Sequence, residues 1–324
     1  MLELNRILVA TDFEKAADNA YSHAQKLAEH LGGKVDLLHV IPTLKYFHES
    51  MKTVGYPLSM EDDVYPKLLE KSKETLQSVM QEHIGQEHRG GSHVKIGPRA
   101  SEIILDCAHE TGADIIIMGA HNNDPVEMIL GTTTERVIRK SDIPVFSVPP
   151  DVGVETYNNI VVPTDLSELS LHGLLDATRF ASALDAGITV LHVLELHGYS
   201  AEDELPEEPE SATNDMREKM FRKIQKYLQK QDNSARIESH SKGYQIVFQE
   251  NGTEKSIPVS LEVTRGVSAH YEIVDFANKR ADMVVITTHG RSGFAHFLLG
   301  STTEQVIRWC RTPVLTSRNI KQQH

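Results

Sequence analysis

The chain is short of cysteine, of basic runs and of long apolar stretches, and each shortage removes a class of protein. Two cysteines in 324 residues, Cys107 and Cys310, cannot build a disulfide framework, so a reducing compartment is expected. Lys and Arg number 33 against 46 Asp and Glu, for a formal net charge of −13, and no cluster of cations stands out. A surface of that sign repels phosphate backbones and anionic headgroups, so neither nucleic acid nor membrane is an expected partner. The longest apolar runs, such as Ile115–Met118, fall far short of a bilayer span. The opening segment Met1–Arg6 is charged and leads straight into a strand-like run, without an apolar signal segment. A cytoplasmic location is the expectation.

Several chemical signatures are missing as well. The 17 histidines fall in no Cys-x2-Cys or His-Glu-x2-His pattern, so no metal site is assigned. There is no Gly-x-Ser-x-Gly elbow and no P-loop lysine, which leaves hydrolase and kinase chemistry without a nucleophile or a phosphate-binding lysine. No catalytic residue is assigned.

What is present is an internal repeat. Ile7-Leu8-Val9-Ala10-Thr11-Asp12 returns as Ile160-Val161-Val162-Pro163-Thr164-Asp165, and Leu38-His39-Val40 returns as Leu191-His192-Val193, both at an offset of 153. Ala113–Ile117 matches Ala281–Val285 at 168, while Gly131–Arg139 matches Gly300–Arg308 at 169. The chain is a duplication. The rise from 153 to 168 places 15 additional residues between Val193 and Ala281 of the second copy. Their expected host is 236–266, where apolar segments flank Asn251-Gly252, a turn dipeptide that favours a β-hairpin.

Each copy alternates short apolar runs with amphipathic segments, one of them a helix starting near Pro66 with Leu69, Leu76, Val79 and Met80 on one face. This pattern predicts an α/β fold of two doubly wound units, at 1–150 and 157–320, with a parallel sheet in each and a hairpin insert in the second. Pro149–Asn159 lacks periodicity and reads as a linker, and the acidic Glu202–Asp215 reads as a solvated loop.

Asp12 and Asp165 each follow a strand directly, at the mouth of the crevice where such folds hold ligands. Each could accept hydrogen bonds from a ribose or an adenine amine, or could cap the next helix. The second copy also carries Thr287-Thr288-His289-Gly290-Arg291-Ser292-Gly293, followed by Gly300-Ser301-Thr302. A glycine loop closing on a helix start brings backbone N–H groups close to a phosphate. The competing account is that Ser301-x-x-Glu304 forms a capping box. His39 and His192 read as core or crevice histidines at strand ends, and His289 and His296 flank the loop.

The Thr-Asp strand opening, the Leu-His-Val second strand and Gly290-x9-Gly300-Ser301 resemble the universal stress protein family along nearly the whole chain. The resemblance implies a five-stranded parallel sheet with helices on both faces. It also implies ATP binding in members with the full signature Gly-x2-Gly-x9-Gly-(Ser/Thr). Carried over by motif, Pro163, Asp165 and Val193 would surround the base and ribose. Ile286, Thr287, Gly290, Gly300, Ser301 and Thr302 would surround the phosphates. Thr287 departs from the pattern, standing where the signature has its first glycine.

In the first copy the corresponding residues are Asp12, Val40, Met118, Gly119, Gly131 and Thr132. There Asn122 replaces the second glycine, the spacing is one residue short, and Asp124 and Glu127 fall where phosphates would lie. That copy is expected to be a weaker site. Family units pair as dimers, so the tandem resembles a pseudo-dimer of its two domains, with further homo-oligomers open. Three functions remain: a regulatory, ATP-binding stress-response protein, a slow ATPase with autophosphorylation, or a ligand-free interaction protein.

Overall fold

The computed structural model describes residues 4–14, 16–43, 65–120, 132–150, 152–153, 156–196, 199, 210–231, 235–241, 243–250, 252–288 and 299–318. The chain divides into two compact units, one spanning Glu3–Val154 and the other built on Glu155–His324.

The first unit runs β1 (Arg6–Thr11), α1 (Ala16–Leu31), β2 (Lys34–Pro42), α2 (Tyr65–His83), a 3-10 turn (Gln86–His88), β3 (Arg89–Gly97), α3 (Ala100–Thr111), β4 (Ile115–Gly119), α4 (Thr132–Lys140) and β5 (Val145–Val148). Its strands pair in parallel in the order β3-β2-β1-β4-β5. Successive residues point to opposite faces, yet Ile7, Leu8 and Val9 are all buried, as are Ile115, Ile116 and Ile117. Both faces are therefore covered, which is why these strands read as continuous apolar runs. Helix α2 holds Pro66 in its first turn and turns Leu76 and Met80 inward.

A buried charge interrupts this core. Asp36, fully buried on β2, accepts from Arg6 Nη1 at 2.6 Å and from the backbone N–H of Gly91 in a short contact. The β2–β3 register shifts between Val35 and Leu37, beside this carboxylate. A Cβ at Gly90 would come within 2.2 Å of Asp36 Oδ1, so β3 can close on the carboxylate only with glycine there.

The second unit runs β6 (Asn159–Pro163), α5 (Glu168–Leu184), β7 (Gly187–Glu195), α6 (Glu210–Gln231), β8 (Arg236–His240), β9 (Gly243–Glu250), β10 (Thr253–Gly266), α7 (Ala269–Arg280), β11 (Met283–Thr287), α8 (Ser301–Trp309) and β12 (Val314–Ser317). Its strand order is β12-β11-β6-β7-β10-β9-β8. Five strands repeat the parallel order of the first unit, and β9 and β8 extend the sheet in antiparallel fashion.

The insert merges with the sheet. Strand β10 is at once one arm of the β9–β10 hairpin and the fifth parallel strand. Thr253–Val259 pairs with β9 and Val259–Gly266 pairs with β7. Pro258, which lacks an N–H, falls in the part of β10 that pairs only with β9. Ile257, Val259 and Leu261 alternate inward, and α6 covers the insert with Met220, Ile224 and Leu228. That apolar stripe also corrects the loop expected at Glu202–Asp215: α6 already begins at Glu210, and 201–209 lie outside the described residues.

The duplication is legible in hydrogen bonds too. Asp114 Oδ2 accepts from the N–H of Arg6 at 2.9 Å, and its counterpart Asp282 Oδ2 accepts from Asn158 and Asn159 at 2.8 and 2.9 Å. The linker segment is thus anchored at its far end, and at its near end Val152 O bonds to His23 Nε2 at 3.1 Å. Cys107 lies within α3 and Cys310 follows α8; both are buried free thiols, and burial raises the pKa of each. Among the described residues no helix is long and apolar enough to cross a membrane.

Candidate functional site

Strand order reverses between β1 and β4 in the first unit and between β6 and β11 in the second. A crevice opens at such a point beyond the carboxyl ends of the strands. The turns that leave β1 and β6 are built alike. Phe13 and Leu166 stand at φ of 65° and 62°, a conformation that bulky residues adopt only at a cost of order 1–2 kcal/mol.

Local polar bonds hold that turn. Thr11 Oγ1 accepts from the N–H of Phe13 at 3.0 Å, and Thr164 Oγ1 accepts from Leu166 at 2.9 Å. Asp12 Oδ1 accepts from Glu14 N–H and Asp165 Oδ1 from Ser167 N–H, each at 3.0 Å. The strand-end histidines complete the brace: His39 Nδ1 donates to Thr11 O and His192 Nδ1 to Thr164 O, both at 2.8 Å. Phe13 stacks on His39 with centroids 4.2 Å apart.

Capping falls to another residue. Ser167 is the N-cap of α5, its side chain accepting from Ser170 N–H at 3.2 Å, so Asp165 lies two residues outside the helix and does not cap it. Asp165 is half-buried at the crevice mouth, whereas Asp12 is exposed.

The second wall comes from the end of β11 and the start of α8. Thr303 Oγ1 donates to Thr287 O at 2.9 Å, and Gly300 N–H donates to Thr288 O at 2.9 Å. These bonds set the first turn of α8 against the strand end. The first unit repeats the tie, with Thr134 Oγ1 donating to Gly119 O at 3.3 Å. Gly300 itself is the N-cap of α8, with φ −61° and ψ 140°, and Ser301 is the exposed first helical residue. The capping-box account therefore fails on position, and Glu304 pairs instead with Arg308 at 3.2 Å. Ser301 and the N–H groups of this first turn lie at the positive end of the helix dipole, an arrangement suited to an anion.

Thr287 is not strained. It is absent from the described non-glycine residues at positive φ, and its methyl faces Gly173 on α5. The first unit has the reverse pair, Gly119 at the strand end and Ala20 on α1. The side chain lost from the helix is gained by the strand.

The predicted site residues gather at this switch point as follows. Pro163 ends β6 and is buried, and Val193 lies two residues past Leu191, the partner of Pro163. Ile286 and Thr287 close β11, and Gly300, Ser301 and Thr302 open α8. Gly290 lies outside the described residues, as do His289 and His296. In the first unit Asp12 follows β1, Val40 is half-buried on β2, Met118 and Gly119 end β4, and Thr132 opens α4. Gly131, Asn122, Asp124 and Glu127 lie outside the described residues.

The residues that the motif reading missed are the hydroxyls of Thr164, Ser167, Ser170 and Thr303. The Ser167-Glu168-Leu169-Ser170 run just before an apolar helix carries the N-cap signal that points to two of them. A separate groove lined by Asp215, Glu218, Lys219, Arg222, Lys223 and Lys226 belongs to the surface of α6 alone.

A model of the universal stress protein family matches residues 3–149 and again 156–318. A universal stress protein of Methanocaldococcus jannaschii is 30% identical over 172 residues, covering 53% of this chain and 88% of that protein. One of Synechocystis is 22% identical over 342 residues, covering 97% of this chain and all of that protein, 100%. The crystal structure of a universal stress protein from Archaeoglobus fulgidus aligns with a TM-score of 0.66 at 18% identity, covering 98% of this chain and 99% of that one, a likeness of fold. Two family matches in succession, on two units of the same strand order, make this chain a tandem two-domain member of the universal stress protein family.

Proposed function

We propose that the second domain binds an adenine nucleotide, ATP foremost, and that its occupancy regulates a stress response. The supporting observation is the convergence of Asp165, Thr287 and the Gly300–Thr302 turn on one strand-order reversal. Pro163, Asp165 and Val193 take the base and ribose. Ile286, Thr287, Gly290, Gly300, Ser301 and Thr302 take the phosphates, with backbone N–H groups and the α8 dipole supplying the positive field. The domains are assigned to 1–150 and 157–320, and they differ in capacity. Asp124 and Glu127 place like charge in the first domain's loop, so Asp12, Val40, Met118, Gly119, Gly131 and Thr132 form the weaker site.

Titration calorimetry with ATP tests this reading. One site per chain is expected, weakened by Asp165→Ala and scarcely changed by Asp12→Ala. No binding, two equivalent sites, or equal losses from both variants would overturn it.

A further inference from the structure

We infer that Ser170 is a positioning residue that aims the Asp165 carboxylate at the ligand, and that the first domain lacks this function because its hydrogen-bond chain is diverted. The inference rests on the nucleotide reading of the second domain.

The observation is a chain of hydroxyls with a fixed direction. Thr164 Oγ1 accepts from the N–H of Leu166 at 2.9 Å and lies 2.8 Å from Ser170 Oγ. Ser170 Oγ in turn lies 2.7 Å from Asp165 Oδ1. A hydroxyl has one proton to give. An ionised carboxylate only accepts, and the Ser170 proton goes to Asp165 at 2.7 Å, the shorter and charge-assisted contact, rather than to the carbonyl of Ser167 at 3.1 Å, so Ser170 accepts from Thr164. The polarity runs from Leu166 N–H through Thr164 and Ser170 to Asp165. Oδ1 then receives two donors, the Ser170 hydroxyl and the Ser167 N–H at 3.0 Å. Two donors on one oxygen, from opposite ends of a single helical turn, fix the rotamer of the side chain.

The first domain begins the same chain and ends it elsewhere. Thr11 Oγ1 accepts from Phe13 N–H, but its hydroxyl contacts Tyr21 on α1 in a short bond. Ala17 stands where the second domain has Ser170, and Leu174 stands where the first has Tyr21. A methyl cannot relay a proton. The first domain's chain therefore runs to a buried phenol, and position 17 offers no hydroxyl to take the place of Ser170.

A double-mutant cycle on the full chain tests the assignment, with ATP affinity and thermal melting read side by side. Ser170→Ala should weaken ATP roughly tenfold, the effect of one charge-assisted hydrogen bond. Ser170→Thr, which keeps a hydroxyl, should restore most of it. In the Asp165→Ala background, Ser170→Ala should cost nothing further, because the group it positions is gone. Parental affinity in Ser170→Ala, or additive losses in the double variant, would overturn the assignment. The ligand-free protein supplies an independent readout: amide exchange at Ser167 should quicken in Ser170→Ala as Oδ1 swings away. If the parent binds no nucleotide, the functional reading falls and this amide decides the matter. Faster exchange would then uphold the hold of Ser170 on Asp165, and unchanged exchange would overturn it.

Discussion

Gly173 on α5 faces Thr287 at the end of β11, and a Cβ built on Gly173 would meet Thr287 Cγ2 at 3.5 Å. That is ordinary van der Waals contact. The space left by the glycine is therefore large enough for one methyl, and little more. Gly173→Ala should raise stability by up to about 1 kcal/mol, since alanine is the better residue in a helix interior. Gly173→Leu should lower it by about 1–3 kcal/mol through overpacking against Val285 and Thr287. Thermal and urea melts check the two signs, and a destabilising alanine would mean that the interface has no slack.

Gly300→Val should leave the fold nearly intact while removing nucleotide binding. With φ −61° and ψ 140°, Gly300 has extended backbone that any residue adopts. The expected stability loss is about 1 kcal/mol at most, for a poorer N-cap. Added methyls at the start of α8 would fill the space a phosphate needs. A melting temperature like that of the parent together with parental ATP affinity would dismiss this turn as the phosphate site.

The first domain should lose stability between pH 6.5 and about 4 through His23. Burial against Phe146 and the linker pushes its pKa down from 6.5 to about 4. A histidine depressed in the folded state keeps its full contribution above the unfolded pKa. Below it, the unfolded chain takes up the proton first, so stability falls with pH, by up to about 3 kcal/mol by pH 4. His23→Gln should flatten the difference in urea midpoint across that window. Parallel profiles for parent and variant would show that His23 titrates as it does in water.

Asp36→Ala should cost about 2 kcal/mol, because it strands the Gly91 N–H and takes a charged partner from Arg6. Arg6 is 44% exposed and can be resolvated, which keeps the loss below that of a fully buried pair. Exchange of the β3 amides should quicken most. Uniform exchange across the sheet would show that Asp36 does not pin the edge strand.

The duplication, the parallel sheets and the hairpin were all legible in the sequence, because each depends on a local pattern. Apolar runs such as Ile115–Ile117 mark doubly covered strands, and Asn251-Gly252 marks a turn. The tertiary structure decided the rest. That β10 belongs to both the hairpin and the parallel sheet follows from which strands lie beside each half of it, and no single segment encodes that. That Gly173 lies against Thr287, 114 residues later in the chain, is likewise set by the fold. The contrast between Ser170 and Tyr21 depends on the direction of a hydroxyl proton, which is set only when α5 and α1 come down on their strands. Periodicity reports burial and turns, which are properties of neighbouring residues. Hydrogen-bond polarity and side-chain clearance are properties of pairs, and the fold alone determines which pairs meet.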